Sequence, residues 1–497
     1  MNIYELAAAK KMMLKRQMVS DKNTGYVHFG AATCCPNGYP VGKLQNKDGH
    51  ILVVGGSQTG KSSCIAIPTL STWKGPIFAI DIKGELFEAW NKHTEEHHRP
   101  AKCFEFTSEE GTLHYDPFYR LREGDPNDLV QNARELAQAI IPVPSTVQDP
   151  FWSQAAQNIL TGLFLYVCGL CEYDESTGQT VYGSFNMAME MLQSMPVWEL
   201  IHEIGESDNI LAKMHISQYQ KIEYPAENKM LAGIGAELSN RVMTFATDGR
   251  IRAAFTTGDH MLRWEDLEHT SVFLRIPEDK LDQWDRAITL MLTQLIRTLE
   301  RRPDQYSPEG KESNLPPLLL LLDEFPRLGK IKVIQNAIST LRSKGVTICL
   351  IVQSIAQLDE TYGQAVRKII LDNCSYKAIL GVTDPENQKM FSDMIGTILR
   401  EQYSYTQSIP WNINFSNQKE SVHTSFRREY KIFPHELATL NDILLLSPKG
   451  FCRVEKRPYY QETIKNALPH KMEEHHKFIP IPIISEKEFS ESCSARY

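Results

Sequence analysis

The sequence lacks an apolar run long enough to cross a membrane. Its longest run, Ile159 to Cys171, is shorter than the roughly 20 residues that a spanning helix needs. The first 20 residues also lack the order of basic, apolar and small residues that marks a signal peptide. We therefore expect a cytoplasmic protein with no transmembrane segment of its own.

Paired metal-binding cysteines are also missing. The ten cysteines are scattered, and the one C-x-x-C motif, formed by Cys168 and Cys171, has no second copy that would complete a zinc site. This motif lies in an apolar segment that is typical of a buried helix. The cysteines are therefore interpreted as reduced thiols in the core of a cytosolic protein.

An excess of positive charge is absent as well. The 61 acidic residues outnumber the 53 lysines and arginines, and the formal net charge is -8. A protein that coats nucleic acid is usually basic, so any contact with DNA must come from a local patch or channel. With 497 residues, 42% of them hydrophobic, the chain can bury a large core and form two to four folded units.

Short apolar runs recur along the chain, each bounded by turn residues. They do not alternate with polar residues, which is typical of strands buried on both faces of a parallel sheet. The runs occupy residues 51–55, 76–81, 271–276, 317–323, 346–353 and 376–380. The pattern predicts an α/β fold with a mostly parallel, doubly wound sheet.

A phosphate-binding motif follows the first of these runs. Residues 55–62 match G-x-x-x-x-G-K-[ST], in which glycines let backbone N–H groups surround phosphates and the following helix adds positive potential. Lys61 is expected to reach the β- and γ-phosphate oxygens, and Ser62 to bind Mg²⁺. The residues predicted to bind ATP are Gly55, Gly56, Ser57, Gln58, Thr59, Gly60, Lys61, Ser62 and Ser63.

Acidic and amide side chains follow two other predicted strands. Five leucines precede Asp323 and Glu324, at the strand end where ligands bind in open α/β sheets. We predict that Asp323 coordinates Mg²⁺ and that Glu324 is the base that polarises the attacking water. Gln353 ends the next strand, where its amide would sense the γ-phosphate. Acidic turn residues and a surface amide are the alternative interpretations.

These features are typical of a mechanical ATPase of the RecA-like or AAA+ type, and the remaining sequence completes a domain plan. Residues 127–262 show helical periodicity and no convincing strand, which predicts an all-helical insertion. The polar segment 400–430 is predicted to be a long loop or hairpin. The expected units are an N-terminal segment (1–45), a nucleotide-binding domain (46–126 and 263–465), the insertion (127–262) and a charged C-terminal tail (466–497).

Several blocks along the chain resemble the coupling proteins of type IV secretion and conjugation systems, the TraG/TraD-like DNA-pumping ATPases. The blocks include "HILVVGGSQTGKSS", "GPIFAIDIKGEL", "LLLLDEFPRLGKI" and "LRSKGVTICLIVQSIAQLDETYG", and the first three are the most specific. The resemblance spans about residues 50 to 460. It implies a hexameric ring, with a RecA-like nucleotide-binding domain and an all-α domain, that couples ATP hydrolysis to movement of single-stranded DNA.

The same resemblance implies partners and one more site residue. The partners would be single-stranded DNA, an attached relaxase and components of a secretion channel. Arg342 lies where family members tend to place an arginine finger that enters the neighbouring subunit's ATP site. A surface cation is the alternative. Most members begin with transmembrane helices, so recruitment by a separate membrane partner is expected for this chain.

Residues that contact DNA are less specific in sequence. Single-strand channels combine basic side chains with aromatic stacking platforms. Two groups fit that description: Arg241, Arg250 and Arg252 in the helical insertion, and Tyr403, Tyr405 and Trp411 in the segment 400–430. Two other functions stay open at this point, a nucleotide-gated recruitment platform without motor activity and a chromosome or phage DNA translocase.

Overall fold

The computed structural model describes residues 24–32, 39–97, 99–109, 111–143, 150–174, 179–305, 314–407 and 420–460. Trp411 and the predicted C-terminal tail lie outside the described residues. The strands are β1 (Tyr26–Ala32), β2 (Tyr39–Leu44), β3 (Ile51–Gly55), β4 (Ile77–Asp81), β5 (Ala101–Glu105), β6 (Cys171–Asp174), β7 (Gln179–Tyr182), β8 (Ser271–Arg275), β9 (Leu318–Leu322), β10 (Val346–Val352), β11 (Tyr376–Gly381), β12 (Thr397–Gln407), β13 (Glu420–Tyr430), β14 (Ile443–Ser447) and β15 (Gly450–Val454).

Helices occupy most of the remaining described chain. The α-helices are Ile67–Thr72, Glu85–His97, Tyr119–Glu123, Leu129–Ile140, Phe151–Cys168, Phe185–Ser194, Val197–Glu206, Ile210–Gln220, Lys229–Thr247, Gly249–Ala254, Asp285–Glu300, Ile334–Thr340, Ile355–Tyr362, Gln364–Asn373 and Pro385–Ile395. Short 3₁₀ turns occupy Pro126–Asp128, Pro225–Glu227, Trp264–Glu268, Glu278–Lys280, Phe325–Leu328 and Pro434–Ala438, and a π-helical turn occupies Ser62–Ala66.

The central sheet has nine strands in the order β15-β14-β11-β3-β10-β9-β4-β8-β5. From β11 to β5 every pair is parallel, and β14 and β15 add an antiparallel edge. All six strands expected from the apolar runs are present. The predicted α/β fold with a mostly parallel sheet is therefore confirmed.

Both faces of the sheet are buried, as the unbroken apolar runs require. In β3, Leu52 and Val54 belong to a large apolar cluster that includes the helices after β9 and β10 and those of the 129–254 region, whereas Ile51 and Val53 belong to a second cluster with the helix that follows the phosphate-binding loop. The leucines of β9 divide between the same two clusters. Successive side chains of a strand point to opposite faces, so each face needs its own apolar set.

The region 127–262 is mostly helical, but the prediction that it contains no strand is wrong. Strands β6 and β7 pair antiparallel within it, with Cys171 opposite Tyr182. Each strand has only four residues, which is too short to give a clear period along the sequence. The helix that was expected to contain both cysteines ends at Cys168, and Cys171 is exposed at the start of β6.

A hairpin near the N-terminus packs on the edge of the sheet. Ala31 and Glu455 exchange two backbone hydrogen bonds, of 3.2 and 2.9 Å. Val27, Phe29 and Val41 are fully buried in the same cluster as one face of the sheet. This hairpin, β1–β2, thus contributes to the core of the nucleotide-binding domain. The domain boundaries predicted from the sequence place it in the separate N-terminal segment 1–45.

In the described part of the polar segment 400–430, two long strands pair as an antiparallel hairpin. Strands β12 and β13 pair over eleven residues each, from Thr397 opposite Tyr430 to Gln407 opposite Glu420. Leu399, Tyr403 and Phe426 share one face of this hairpin, and each is more than half exposed. Among the described helices, none has the length and apolar character needed to span a bilayer.

A lysine is buried at the end of the sheet where the parallel strands begin. Lys43 is 1% exposed, and its Nζ donates a 2.9 Å hydrogen bond to Oγ1 of Thr347 in β10. Burial lowers the pKa of Lys43 to about 7 from 10.5. Keeping the proton on this buried amine therefore costs free energy, and above about pH 7 the folded protein holds Lys43 mostly as the neutral amine.

We expect Lys43→Met to change how stability depends on pH. Between pH 7 and pH 10 the unfolded chain holds the Lys43 proton and the folded chain does not, so the stability of the wild type rises with pH. The slope is at most about 1.4 kcal/mol per pH unit. Urea unfolding at pH 7, 8 and 9 should show that the variant lacks this rise. Lys47→Met, at an exposed lysine in the next turn, is the control; equal slopes in all three proteins would contradict the prediction.

Candidate nucleotide site

The loop that follows β3 has the backbone of a phosphate cradle. Gly60 has φ +97°, and a Cβ at Gly55 would lie 2.5 Å from the Thr59 hydroxyl, so neither position accommodates a larger residue without rearrangement. Gln58 adopts the left-handed region with φ 61°. Thr59 Oγ1 donates to the Gly56 carbonyl at 2.9 Å, which closes the loop. The predicted glycines thus shape a narrow turn directly at the strand end.

Lys61 is enclosed by this loop. It is 8% exposed, and its Nζ donates to the carbonyls of Gly55 at 2.7 Å and Gly56 at 2.9 Å. Burial lowers its pKa, while the nearby carboxylates of Glu324 and Asp323 act in the opposite direction. The ammonium therefore lies between the loop and the acidic pair.

Ser62 begins a π-helical turn, Ser62–Ala66, rather than an ordinary α-helical turn. Such turns recur at functional positions in helices. The backbone N–H of Cys64 donates to the Gly60 carbonyl at 2.8 Å. Ser62 and Ser63 are half-buried at the mouth of the loop, where their hydroxyls and N–H groups can meet a ligand.

The sheet register brings the predicted acidic and amide residues to this loop. Strand β10 lies between β3 and β9, with Val352 opposite Val54 and Leu350 opposite Leu322. The residues that follow these parallel strands therefore emerge at one edge of the sheet. They are the phosphate loop after β3, Gln353 after β10, and Asp323 with Glu324 after β9.

Asp323 is the more enclosed of the two acidic residues. Burial, and then the neighbouring Glu324 carboxylate, raise its pKa to about 6 from 3.8. Its Oδ1 accepts a 3.0 Å hydrogen bond from the backbone N–H of Glu324. A buried carboxylate of this kind favours a nearby cation, because a positive charge offsets the cost of ionising it.

Glu324 and Gln353 are joined directly. Nε2 of Gln353 donates to both carboxylate oxygens of Glu324, each at 2.9 Å. Glu324 also has a left-handed backbone, with φ 49° and ψ 36°. Strained non-glycine backbones of this type concentrate at functional sites. Proximity of these residues followed from the sequence, but this hydrogen bond did not.

The segment after Glu324 is fixed by apolar packing. Phe325 begins a 3₁₀ turn and its ring stacks on Tyr362 with a centroid distance of 5.1 Å. The Tyr362 hydroxyl donates to the Gly329 carbonyl at 3.2 Å. These contacts hold the acidic pair at the strand end by anchoring the chain immediately beyond it.

Arg342 does not lie in this site. It precedes β10, whose seven residues span roughly 20 Å, and Gln353 follows the same strand at its other end. Arg342 is exposed and is close enough to His50, just before β3, to influence the pKa of that histidine. Within one chain, Arg342 is thus at the edge of the sheet opposite to the phosphate loop.

Lys83 is a further member of the site that was not predicted from the sequence. Lys83 follows β4, the neighbour of β9, and its positive charge acts on both Asp323 and Lys61. Its position in the block D-I-K-G-E, directly after a predicted strand, is the sequence feature that could have identified it as a site residue. The Asp81 carboxylate of that block has a structural role, since it accepts a 2.8 Å bond from the N–H of Phe87 in the following helix.

Protein side chains alone do not form a metal cage in the part of the chain that the structure describes. No group of three or more His, Cys, Asp or Glu residues there could hold an ion. A hard cation next to Asp323 and Ser62 would need further oxygen ligands from phosphate and water, which is the usual mode for Mg²⁺. The donor set therefore fits a metal–nucleotide complex better than a free metal ion.

The candidate DNA-contacting residues differ in exposure and in whether they already form an ion pair within the chain. Arg241 is ion-paired with Glu237 at 2.9 Å, and Arg252 with Glu190. The side chain of Arg250 is exposed. Tyr403 is 53% exposed on β12, and its hydroxyl donates to Glu401 at 2.7 Å. Tyr405 lies further along the same strand.

Comparison with known proteins gives a consistent family. A model described as "Type IV secretory system Conjugative DNA transfer" matches residues 3–481. Protein VirD4 of Rhizobium radiobacter is 26% identical over 458 residues, which covers 88% of this chain and 61% of that protein. Conjugal transfer protein TraG of Escherichia coli is 24% identical over 404 residues, covering 77% and 62%.

A solved structure has the same fold. The plasmid coupling protein TrwB, in complex with ADP and Mg²⁺, superposes with a TM-score of 0.62 at 15% identity, covering 90% of this chain and 91% of that one. The chain spans about three fifths of the length of the relatives VirD4 and TraG. Because the family model covers nearly all of the sequence, the chain belongs to the family of type IV secretory system conjugative DNA transfer proteins.

Proposed function

We propose that the chain is an ATP-driven coupling protein that moves single-stranded DNA toward a conjugation channel. The observation that carries this proposal is the convergence of Lys61, Asp323, Glu324 and Gln353 at one edge of the sheet, beside a loop shaped for phosphates. A phosphate loop alone supports nucleotide binding. A glutamate held next to it supports hydrolysis as well.

The ligands proposed for the site are ATP and Mg²⁺. TrwB, which shares the fold, was solved with ADP and Mg²⁺. Here residues 55–63 would hold the phosphates, and Ser62 and Asp323 would hold the metal. When bound, the metal supplies positive charge that offsets charge developing on the phosphate oxygens.

Three side chains have separate proposed roles in ATP hydrolysis. Glu324 orients a water and accepts its proton, and the two 2.9 Å bonds from Gln353 set the direction of that carboxylate. Gln353 is a positioning residue in this scheme, and its amide is also proposed to sense the γ-phosphate. Lys61 places positive charge against the phosphates.

Arg342 supports a ring of several copies. It is too far along β10 to enter its own site, so it can act as an arginine finger only in the site of a neighbouring copy. A head-to-tail contact of this type closes into a ring when the rotation allows it. We propose a homo-hexamer, as in the coupling proteins that the sequence resembles.

The hairpin β12–β13 is the proposed contact to DNA. Its exposed face carries Leu399, Tyr403 and Phe426, and Arg428, which lies opposite Leu399, is exposed on the same face. Aromatic faces and positive charge together are what single strands bind. This local patch accommodates a DNA function in a chain with a net charge of -8. A relaxase, the secretion channel and a membrane adaptor at the inner face of the membrane remain proposed partners.

Two other functions were open from the sequence. A recruitment platform without motor activity would not need Glu324 held by Gln353, and that contact favours the motor. A chromosome or phage translocase is disfavoured, because the family model is one for conjugative DNA transfer.

We expect ATP hydrolysis that increases with protein concentration and with added single-stranded DNA. Glu324→Gln should lower kcat by at least about 100-fold while ATP binding persists, because it removes only the base. Steady-state phosphate release, with and without DNA, measures this. Glu206→Gln, at an exposed helix end, is the matched control.

Unchanged hydrolysis in the Glu324→Gln variant would rule out the proposed base. DNA transfer that persists in a donor strain with this variant would favour the recruitment platform.

We expect Arg342→Ala to lower kcat by about 1,000-fold or more, as loss of an arginine finger does. An equal mixture of Arg342→Ala and Glu324→Gln chains should recover about a quarter of the wild-type rate, since a quarter of randomly assembled interfaces pair an intact Glu324 with an intact Arg342. Phosphate release by the mixture measures the recovery.

Mixing Lys61→Ala with Glu324→Gln is the control for this experiment. Lys61 and Glu324 belong to the nucleotide site of the same chain. Every chain in this mixture therefore has a defective site of its own, and no activity should be recovered. Full activity of Arg342→Ala alone would identify Arg342 as a surface cation.

We expect Tyr403→Ser with Phe426→Ser to weaken single-stranded DNA binding by about 5- to 150-fold, which corresponds to the loss of one base stack. ATP hydrolysis without DNA should not change. Fluorescence anisotropy of a labelled oligonucleotide measures the affinity. Met214→Ser, at an exposed apolar residue of the helical region, serves as the control; equal losses in both proteins would contradict a specific role of the hairpin.

A further inference from the structure

The segment that follows β15 leads to the turn that comes directly after the phosphate loop. Its first residue, Glu455, is hydrogen-bonded to Ala31 of β1. Nζ of Lys456 then donates to the carbonyls of Leu380 and Leu440, each at 3.2 Å. The segment finally reaches the π-helical turn, where the backbone N–H of Tyr459 donates to the Ser63 carbonyl at 2.9 Å. The segment 455–460 is thus fixed to β1 through Glu455, to the carbonyls of Leu380 and Leu440 through Lys456, and to the turn after the phosphate loop through Tyr459.

This contact lies at a defined part of the nucleotide site. In a loop of this kind the backbone N–H groups bind the α- and β-phosphates, and Ser63 follows the lysine and the metal-binding serine. The nucleobase is separated from the α-phosphate by a single sugar. Tyr459, whose backbone N–H is bonded to the Ser63 carbonyl, is therefore close to the position of the base.

Two aromatic rings are presented at this position. Tyr459 is 40% exposed and Tyr460 is 60% exposed, and their rings meet edge to face with a centroid distance of 5.5 Å. The contact between them orients both rings, while a large part of each surface stays accessible. Exposed, oriented rings are the type of platform on which a base stacks.

We propose that Tyr459 and Tyr460 form the nucleobase subsite of the ATP site. The inference rests on the proposed nucleotide-binding function and adds the residues that hold the base. Stacking on a ring tolerates different bases, because every base has a π-face. The phosphate loop would then supply affinity for the phosphates, and the tyrosine pair would supply affinity for the base.

The test separates the base from the phosphates. ATP and inorganic tripolyphosphate are titrated, each with Mg²⁺, into the wild type and into Tyr459→Ala and Tyr460→Ala. We expect at least one of these variants to bind ATP about 5- to 150-fold more weakly, because a ring that stacks on the base is lost, while its affinity for tripolyphosphate stays unchanged. The variant that loses ATP affinity identifies the stacking ring. Its phenylalanine counterpart should restore most of that affinity, because the ring is retained.

Three results would overturn the proposal. Unchanged ATP affinity in both alanine variants would place the base elsewhere. An equal loss of ATP and tripolyphosphate affinity would show that the tyrosines only support the loop. Failure of the wild type to bind either ligand would overturn the nucleotide function itself, and with it the subsite. Tyr182→Ala, at an exposed tyrosine of β7, controls for the loss of a surface ring.

Discussion

Burial of the central sheet on both faces is the constraint on which the site depends. Apart from Thr347 in β10, the residues of strands β3, β9 and β10 are apolar, and all of them are buried. Placing a charged side chain inside such a strand would be costly, so the charged residues of the site lie where the strands end. Because these strands are parallel, all of their carboxyl ends meet at the same edge. The phosphate loop, the acidic pair and Gln353 therefore lie close together in space, although they are far apart along the chain.

The same constraint separates the two edges of the sheet by function. The edge where the strands begin carries His50, the buried Lys43 and the exposed Arg342. The edge where they end carries the phosphate loop. An arginine on the first edge reaches the second edge only in another copy, so the arginine-finger role proposed for Arg342 requires contact between unlike surfaces of two identical chains. The proposed ring rests on such a head-to-tail interface.

The sequence was most informative where one physical signal dominated. Unbroken apolar runs predicted six strands of the sheet, and the glycine-lysine motif placed the phosphate loop. The weak signals failed: β6 and β7 are too short to show a period, and β5, at the sheet edge, is only partly buried. Strand order brought Gln353 and Glu324 near each other, but their hydrogen bond depends on the left-handed backbone of Glu324. A local conformation of that kind has no sequence pattern in a glutamate.

The left-handed backbone of Glu324 follows from the contacts that fix the chain on either side of it. Asp323 accepts the backbone N–H of Glu324, whereas Phe325 must begin a 3₁₀ turn and stack on Tyr362. The chain has one residue in which to change direction between these two anchors. A non-glycine residue in this conformation costs on the order of 1–3 kcal/mol. The apolar anchor at Phe325 and the paired bonds from Gln353 offset that cost, and the carboxylate is held toward the phosphate loop. Packing beyond the strand thus sets the direction of the proposed base.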